Sequence, residues 1–306
     1  MKTNVIICLD IGGTNCRMGL VDRAGTLLES QIISTAALAQ EDFLPALTRV
    51  LRKACQECKP CYHVRAVSMG FPATVNKTRR NVLQAPNIPG LADNLPVCDI
   101  LERELGLPVF LERDVNLLLA YDLQVLGLED ADTVIGIYFG TGIGNSIYLN
   151  GKFHAGHNGV AGELGHIPQL GSREVCGCGN VGCLEPLGGG RKLSQLCAEA
   201  FLDTDITEIY LRHSDDARLR QQVEAMAVAV ATEVNILDPD YVVLGGGLLQ
   251  MRGFPVEQFE QAIRTHTRRP YPLQNLRLVY ARANQENGIL GAGIYGWRCF
   301  ASQQGI

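Results

Sequence analysis

The chain has 306 residues, 46% of them hydrophobic and 19% charged, which suffices for a sizeable buried core and argues against disorder. A formal charge of −5 leaves no basic footprint for nucleic acid or an anionic membrane surface, so the expected partners are small molecules, with no nucleic acid and no membrane among them. The first apolar run, Val5–Leu9, is too short for a secretory signal, and no run reaches the ~18 apolar residues of a membrane span. Eleven cysteines in such a chain read as thiols or metal ligands before disulfides, and the expected location is cytoplasmic.

Residues 5–10, 16–21 and 27–33 are short apolar runs broken at glycine turns (Gly12-Gly13 and Gly25), which predicts three consecutive antiparallel strands. Residues 42–57 place Phe43, Leu44, Leu47, Val50, Leu51 and Ala54 on one helical face. Strands at 64–70 and 81–85, a helix near 97–106 and a strand at 108–112 follow; the last runs into a helix reaching residue 126. The plan then begins again. "DTVIGIYFGTGIGNSIYLNG" (132–151) reads as strand, glycine turn, strand and an Asn150-Gly151 hairpin signal. A helix at 217–237, a strand at 241–247, a helix at 255–268, a strand at 276–281 and a last helix at 285–299 complete the chain. The class is α/β, and the recurrence of strand, glycine turn and strand at 5–21 and 132–149 suggests two similar lobes joined near 112–118.

Three glycine turns follow strands. In "DIGGTNCR" (10–17), Gly12 and Gly13 bare backbone N–H groups while Thr14 and Asn15 add side-chain donors, a concave arrangement that suits phosphate oxygens. Asp10, at the strand end, could hold a hydrated Mg²⁺. "FGTGIGNS" (139–146) repeats the device through Gly140, Thr141, Gly142 and Gly144, and "LGGGL" (244–248) offers Gly245, Gly246 and Gly247. Each alone is equally readable as a tight turn. Neither of the first two has P-loop spacing, and "GTGIGN" does not open a helix as a dinucleotide fingerprint would. Together they point to one bound polyphosphate.

His166, Cys176, Cys178 and Cys183 lie within one glycine-rich loop. Three thiolates and an imidazole make a closed tetrahedral zinc site with no vacancy for catalysis, so a structural Zn²⁺ is expected. The alternative is a loop of merely buried thiols. Glu163 in "GELGH" and Glu185 just past Cys183 would be held by the same clip, where two carboxylates can accept hydrogen bonds from sugar hydroxyls; alone, each would read as a solvated charge. "CQECKPC" (55–61) has no fourth ligand near it and reads as incidental thiols. Asp114, where a strand meets a helix in "RDVN", is either an N-cap or a general base for an attacking hydroxyl.

These motifs resemble the ROK (repressor, open reading frame, kinase) family of sugar kinases over essentially the whole chain. "DIGGTNCR" resembles its first phosphate turn, "GTGIG" its second, the glycines at 245–247 its adenosine-side turn, and "GVAGELGH" with "CGCGNVGCLE" its zinc signature. The resemblance implies an actin-like ATPase fold (ribonuclease H-like) of two α/β lobes with a cleft. The lobes would comprise residues 1–115 plus a C-terminal helix at 286–306, and residues 116–285 with the zinc loop at 166–185. It also implies ATP and Mg²⁺, transfer of the γ-phosphoryl group to the 6-hydroxyl of a hexose, and a homodimer. Asp114 would be the base, and Glu163, His166 and Glu185 sugar ligands. Asn87, in "APNIP", and Arg113 would join them. Arg17 would join Asp10 and the glycine turns in holding ATP. "MGFPA", "APNIP", "RDVN" and "GVAGELGHIP" together look closest to the D-allose-phosphorylating members. The family usually has asparagine where Arg113 stands, a residue that reads ring hydroxyls, so Arg113 puts glucose specificity in doubt. Asn145 and Ser146 replace the small residues common after the second turn. A sugar-sensing regulator of the same family is disfavoured, since no DNA-binding region precedes the first strand.

Overall fold

A computed structural model describes residues 2–40, 42–282 and 284–305. The chain divides into two compact units, one of Met1–Gly127, Ala155–Ala161 and Asn284–Ile306, the other of Leu128–His154 and Gly162–Ala283.

In the first unit, β1 (Thr3–Ile11), β2 (Asn15–Asp22) and β3 (Leu27–Ser34) form the expected antiparallel meander. The helices α1 (Thr35–Ala39) and α2 (Phe43–Cys58) lead to β4 (Tyr62–Phe71), which lies parallel to β1. A small hairpin of β5 (Thr74–Val75) and β6 (Val82–Gln84) precedes α3 (Val97–Leu105) and β7 (Val109–Arg113), and β7 pairs in parallel with β4. The sheet order is β3-β2-β1-β4-β7. Val5 to Leu9 are fully buried because both sheet faces are covered, which is why β1 reads as a continuous apolar run rather than an alternating one. The α2 face carrying Phe43, Leu44, Leu47 and Leu51 packs into that core. Each such side chain contributes roughly 1.5–3 kcal/mol of burial. Strand β7 runs directly into α4 (Asp114–Leu126).

The second unit repeats the plan. β8 (Thr133–Phe139), β9 (Ile143–Leu149) and β10 (Lys152–Phe153) are antiparallel. Asn150 and Gly151 both have positive φ, 47° and 79°, as a two-residue hairpin turn requires. The helices α5 (Glu185–Gly188), α6 (Gly190–Ala200), α7 (Ile209–His213) and α8 (Ala217–Leu237) precede β11 (Tyr241–Gly245). After α9 (Val256–His266), β12 (Leu278–Tyr280) completes the order β10-β9-β8-β11-β12, with β8, β11 and β12 parallel. The core joins Ile135, Ile137 and Phe139 to Val223, Met226, Val230 and Val234 of α8.

The last helix, α10 (Asn287–Gln304), packs in the first unit against α4, β1 and β4. A Cβ at Gly291 would stand 1.9 Å from the Leu117 carbonyl oxygen, so only glycine permits that crossing. The boundary falls at Gly127 rather than at residue 115, because α4 is packed on α10 and on the first sheet, and the first unit also takes in Ala155–Ala161. Among the described residues no helix is long and apolar enough to cross a membrane.

Candidate functional site

In the first unit the carboxyl ends of the parallel strands lie side by side, where open α/β sheets bind ligands: Asp10 is in register with Gly70, Gly70 with Glu112, and Phe71 with Arg113. Asp114 is the first residue of α4 and Arg113 holds the cap position without a side-chain capping bond, so Asp114 is not the N-cap. A Cβ at Gly70 would lie 3.3 Å from Asp114 Cα and 2.8 Å from Leu117 Cδ1; glycine there lets α4 begin close to the sheet. Asp114 Oδ1 accepts the Val115 N–H at 2.8 Å. Loss of water around the carboxyl, followed by repulsion from Asp10, pushes its pKa up from 3.8 to about 7, against the pull of the Val115 amide and Arg113. A carboxylate of that basicity is suited to proton abstraction near neutral pH.

Asp10 is itself pushed above the ordinary carboxylate range by desolvation, countered by Arg17 opposite it on β2. Arg17 Nε is buried without a hydrogen-bond partner among the described residues, a donor left for an anion. The first glycine turn is closed by Gly12 N–H donating to Asn15 O (2.8 Å) and is held by Thr35, whose hydroxyl donates to Gly12 O (2.7 Å) and whose N–H donates to Thr14 O (3.0 Å). Gly13 and Thr14 are exposed on it. A Cβ at Gly13 would meet Asn87 O at 3.4 Å, so Asn87 sits beside this turn. A Cβ at Gly288 would lie 2.4 Å from Asp10 Cγ, so the N-terminus of α10, the positive end of its dipole, abuts that carboxylate. Arg113 is 8% exposed, and its Nη1 donates to Ala161 O.

In the second unit, Gly140 N–H donates to Gly142 O at 3.0 Å and closes the turn between β8 and β9; Thr141 is exposed at its tip, and Gly144 lies inside β9. Glu185 Oε2 accepts the Ile143 N–H at 2.9 Å, and a Cβ at Gly142 would fall 2.2 Å from that oxygen. The amides of Gly190 and Arg191 donate to Gly140 O (2.9 Å) and Thr141 O (3.0 Å), tying the start of α6 to the turn. At the third turn Gly245 ends β11, Gly246 has φ +98° and would drive a Cβ to 2.4 Å from Phe139 O, and Gly247 is exposed.

The ligating atoms of His166, Cys176, Cys178 and Cys183 all lie within 4.8 Å of one another. His166 Nδ1 stands 3.4 Å from Cys176 Sγ, and Cys178 Sγ 3.7 Å from Cys183 Sγ. One imidazole and three thiols fit a closed tetrahedral ion. His166 Nε2 faces the other way, 3.5 Å from Glu163 Oε2, so the ring divides its nitrogens between the metal side and a carboxylate. Gly165 packs on Glu185, with 3.2 Å from its would-be Cβ to Glu185 Cβ, which brings "GELGH" against the second carboxylate. No other such ligand group occurs among the described residues; of the 55–61 cysteines, Cys58 is buried and Cys61 exposed.

Sequence reasoning missed Glu112, Arg79, Gly288 and the 187–191 stretch that docks on the second turn. Reading "ERDVN" one residue earlier, or asking what "LGGGR" must approach, were the available signals.

The model of the ROK family matches residues 6–295. N-acetyl-D-glucosamine kinase from Haemophilus influenzae is 28% identical over 302 residues, 93% of this chain and 96% of that protein. Glucokinase from Streptomyces coelicolor is 28% identical over 265 residues, 79% and 81% of the two chains. Of solved structures, a ROK family glucokinase from Streptomyces griseus in complex with glucose and AMPPNP has a TM-score of 0.77 at 26% identity, covering 94% of this chain and 98% of that one. A ROK hexokinase from Thermus thermophilus has a TM-score of 0.75 at 30% identity, covering 95% and 97%. The fold is the α/β, actin-like ATPase fold, and the chain belongs to the ROK family.

Proposed function

We propose that the chain is an ATP-dependent hexose kinase in which Asp114 is the general base. The observation that carries this reading is a carboxyl at the strand ends whose pKa is pushed up to about 7 beside a glycine turn, Asp10 and an unpaired Arg17 Nε. Asp114 takes the proton of the sugar 6-hydroxyl as the oxygen attacks the γ-phosphorus. The new O–P bond forms as the bond to the β-phosphate oxygen breaks, ADP leaves, and the proton passes from Asp114 to solvent. Such a transfer needs in-line positioning and charge stabilisation rather than covalent catalysis. Asp10 would hold Mg²⁺, which neutralises phosphate charge when bound. Asp10, Gly12, Gly13, Thr14, Asn15 and Arg17 serve the nucleotide in the first unit, and Gly140–Gly142 with Gly144 and Gly245–Gly247 in the second. Glu163, His166, Glu185, Asn87 and Arg113 serve the sugar.

The donor set of the metal centre supports structural Zn²⁺, which would stiffen a loop that has no apolar core of its own. D-Allose is the proposed sugar, supported by the motifs around "MGFPA", "APNIP" and "RDVN" and by arginine at position 113 where relatives use a hydroxyl-reading asparagine. Glucose, N-acetylmannosamine and fructose are the competing substrates. A homodimer is the proposed assembly, on the family resemblance alone. The test is ADP release by the purified chain with Mg²⁺ and a panel of allose, glucose, mannose, fructose and their N-acetyl derivatives. Sugar-dependent ADP, greatest with allose, is expected; ADP with another sugar would move the substrate, and none with any sugar would refute the kinase.

A further inference from the structure

The end of β7 carries a buried carboxylate that the chemistry above does not use. The Glu112 side chain is 4% exposed and that of Arg79 13%. Glu112 Oε1 accepts the Arg113 N–H at 2.8 Å and the Asn116 Nδ2–H at 3.0 Å. Arg79 Nε lies 3.0 Å from Oε1 and donates to Oε2 at 3.1 Å. Arg79 in turn is anchored to main chain, Nη1 donating to Gly159 O at 2.7 Å and to Val75 O at 3.3 Å.

This places one carboxylate on both sides of Asp114. Arg113, in the cap position of α4, offers no side-chain cap, and its own N–H, just before Asp114, is held by Glu112. Asn116, in the first turn after Asp114, is held by the same oxygen. Three donors on a buried carboxylate lock its rotamer, and with it the residues flanking Asp114. An ordinary helix start needs no such arrangement; a base that must meet a hydroxyl in a fixed direction does.

We propose that Glu112 is a positioning residue for Asp114, with Arg79 as its counter-ion and anchor. The inference rests on the proposed role of Asp114 as base. Glu112 touches no reacting atom; it sets the direction of the first turn of α4. Its loss acts on turnover, because the sugar and nucleotide contacts assigned to Glu163, Glu185 and the glycine turns are untouched.

The test uses the full chain. Glu112→Asp keeps the charge opposite Arg79 but draws the carboxylate back by one methylene from the Arg113 amide and Asn116. Expected is a fall in kcat of about 10- to 100-fold, as ångström-scale misplacement produces, with KM for sugar and for MgATP changed less than about threefold. Full kcat in this variant overturns the proposal, as does a rise in KM with kcat unchanged. Glu112→Gln/Arg79→Met removes both charges, so no unpaired ion is left buried. It is expected to melt near wild type and still to turn over slowly. If its kcat recovers together with its stability, the pair is only structural and the proposal fails. Asp114→Asn run alongside separates the two readings. An inactive Asp114→Asn with unaffected Glu112 variants sinks only this inference. An active Asp114→Asn, or a wild-type chain without sugar-dependent turnover, sinks the functional reading beneath it.

Discussion

Replacing Asp114 by asparagine should abolish most turnover and also stabilise the fold, by an amount that depends on pH. The folded carboxyl has a pKa of about 7 against an ordinary 3.8. Between about pH 4 and 7 the folded chain therefore keeps a proton that the unfolded chain has released. The stability this contributes is fully present below about pH 4 and is lost as pH rises through about 7. At about 1.4 kcal/mol per pH unit, carrying Asp114 costs the fold up to about 4 kcal/mol at pH 8 and on the order of 1–2 kcal/mol at pH 5. Asp114 as a residue is only half-buried, and relaxation of the site around a charged carboxyl lowers the cost, so these are upper limits. Asparagine keeps the acceptor for the Val115 amide and carries no charge. Urea unfolding followed by tryptophan fluorescence is suited to the measurement. The single tryptophan, Trp297, lies in α10 of the same unit and donates to Val21 O at 3.3 Å. The Asn variant should gain more at pH 8 than at pH 5, at constant m-value. An equal gain at both pH values, or none at pH 8, would refute the reasoning about why this carboxyl is basic.

The same pKa predicts that kcat/KM falls about tenfold per pH unit below about pH 7; a plateau extending down to pH 5 would exclude Asp114 as base. Gly142→Ala would place a Cβ 2.2 Å from Glu185 Oε2, at the end of a flexible side chain, so the carboxylate should swing off the Ile143 amide. Sugar KM should rise about 10- to 100-fold with an unchanged circular dichroism spectrum, the range for losing hydrogen bonds to a charged acceptor; an unchanged KM would remove Glu185 from the sugar site. Metal analysis should find one zinc per chain. Chelation should speed tryptic cleavage at the exposed Arg173, between His166 and Cys176, by about tenfold or more as the loop loses its fold; indifference to chelator would contradict a structural ion.

Local signals decided what was legible. The repeated strand–turn–strand units, the helix face of α2, the helical run of α8 and the Asn150-Gly151 turn all follow from spacing within a few residues. So does the grouping of His166 with Cys176, Cys178 and Cys183, since the four residues are close in sequence and share one glycine-rich loop. Which unit α4 packs in was not legible, because "LERDVNLLLA" reads as a continuous strand-to-helix run. What keeps α4 with the first sheet is α10, far away in the chain, packing through Gly291. The hold of Arg79 on Glu112, and that of Glu185 on the second glycine turn, are long-range pairings with no periodicity to announce them. The N-cap reading of Asp114 failed by one residue: Arg113 holds the cap position without a side-chain capping bond, and the Val115 amide is taken by Asp114 from the first helical position.

The most direct measurement is product analysis after incubating wild-type chain and Asp114→Asn with MgATP and each sugar. Wild type should convert ATP to ADP only when sugar is present, yielding equimolar hexose 6-phosphate, while Asp114→Asn should be slower by several orders of magnitude. Phosphate appearing on another hydroxyl, ADP formed at the same rate without sugar, or an Asp114→Asn chain as fast as wild type would contradict the account.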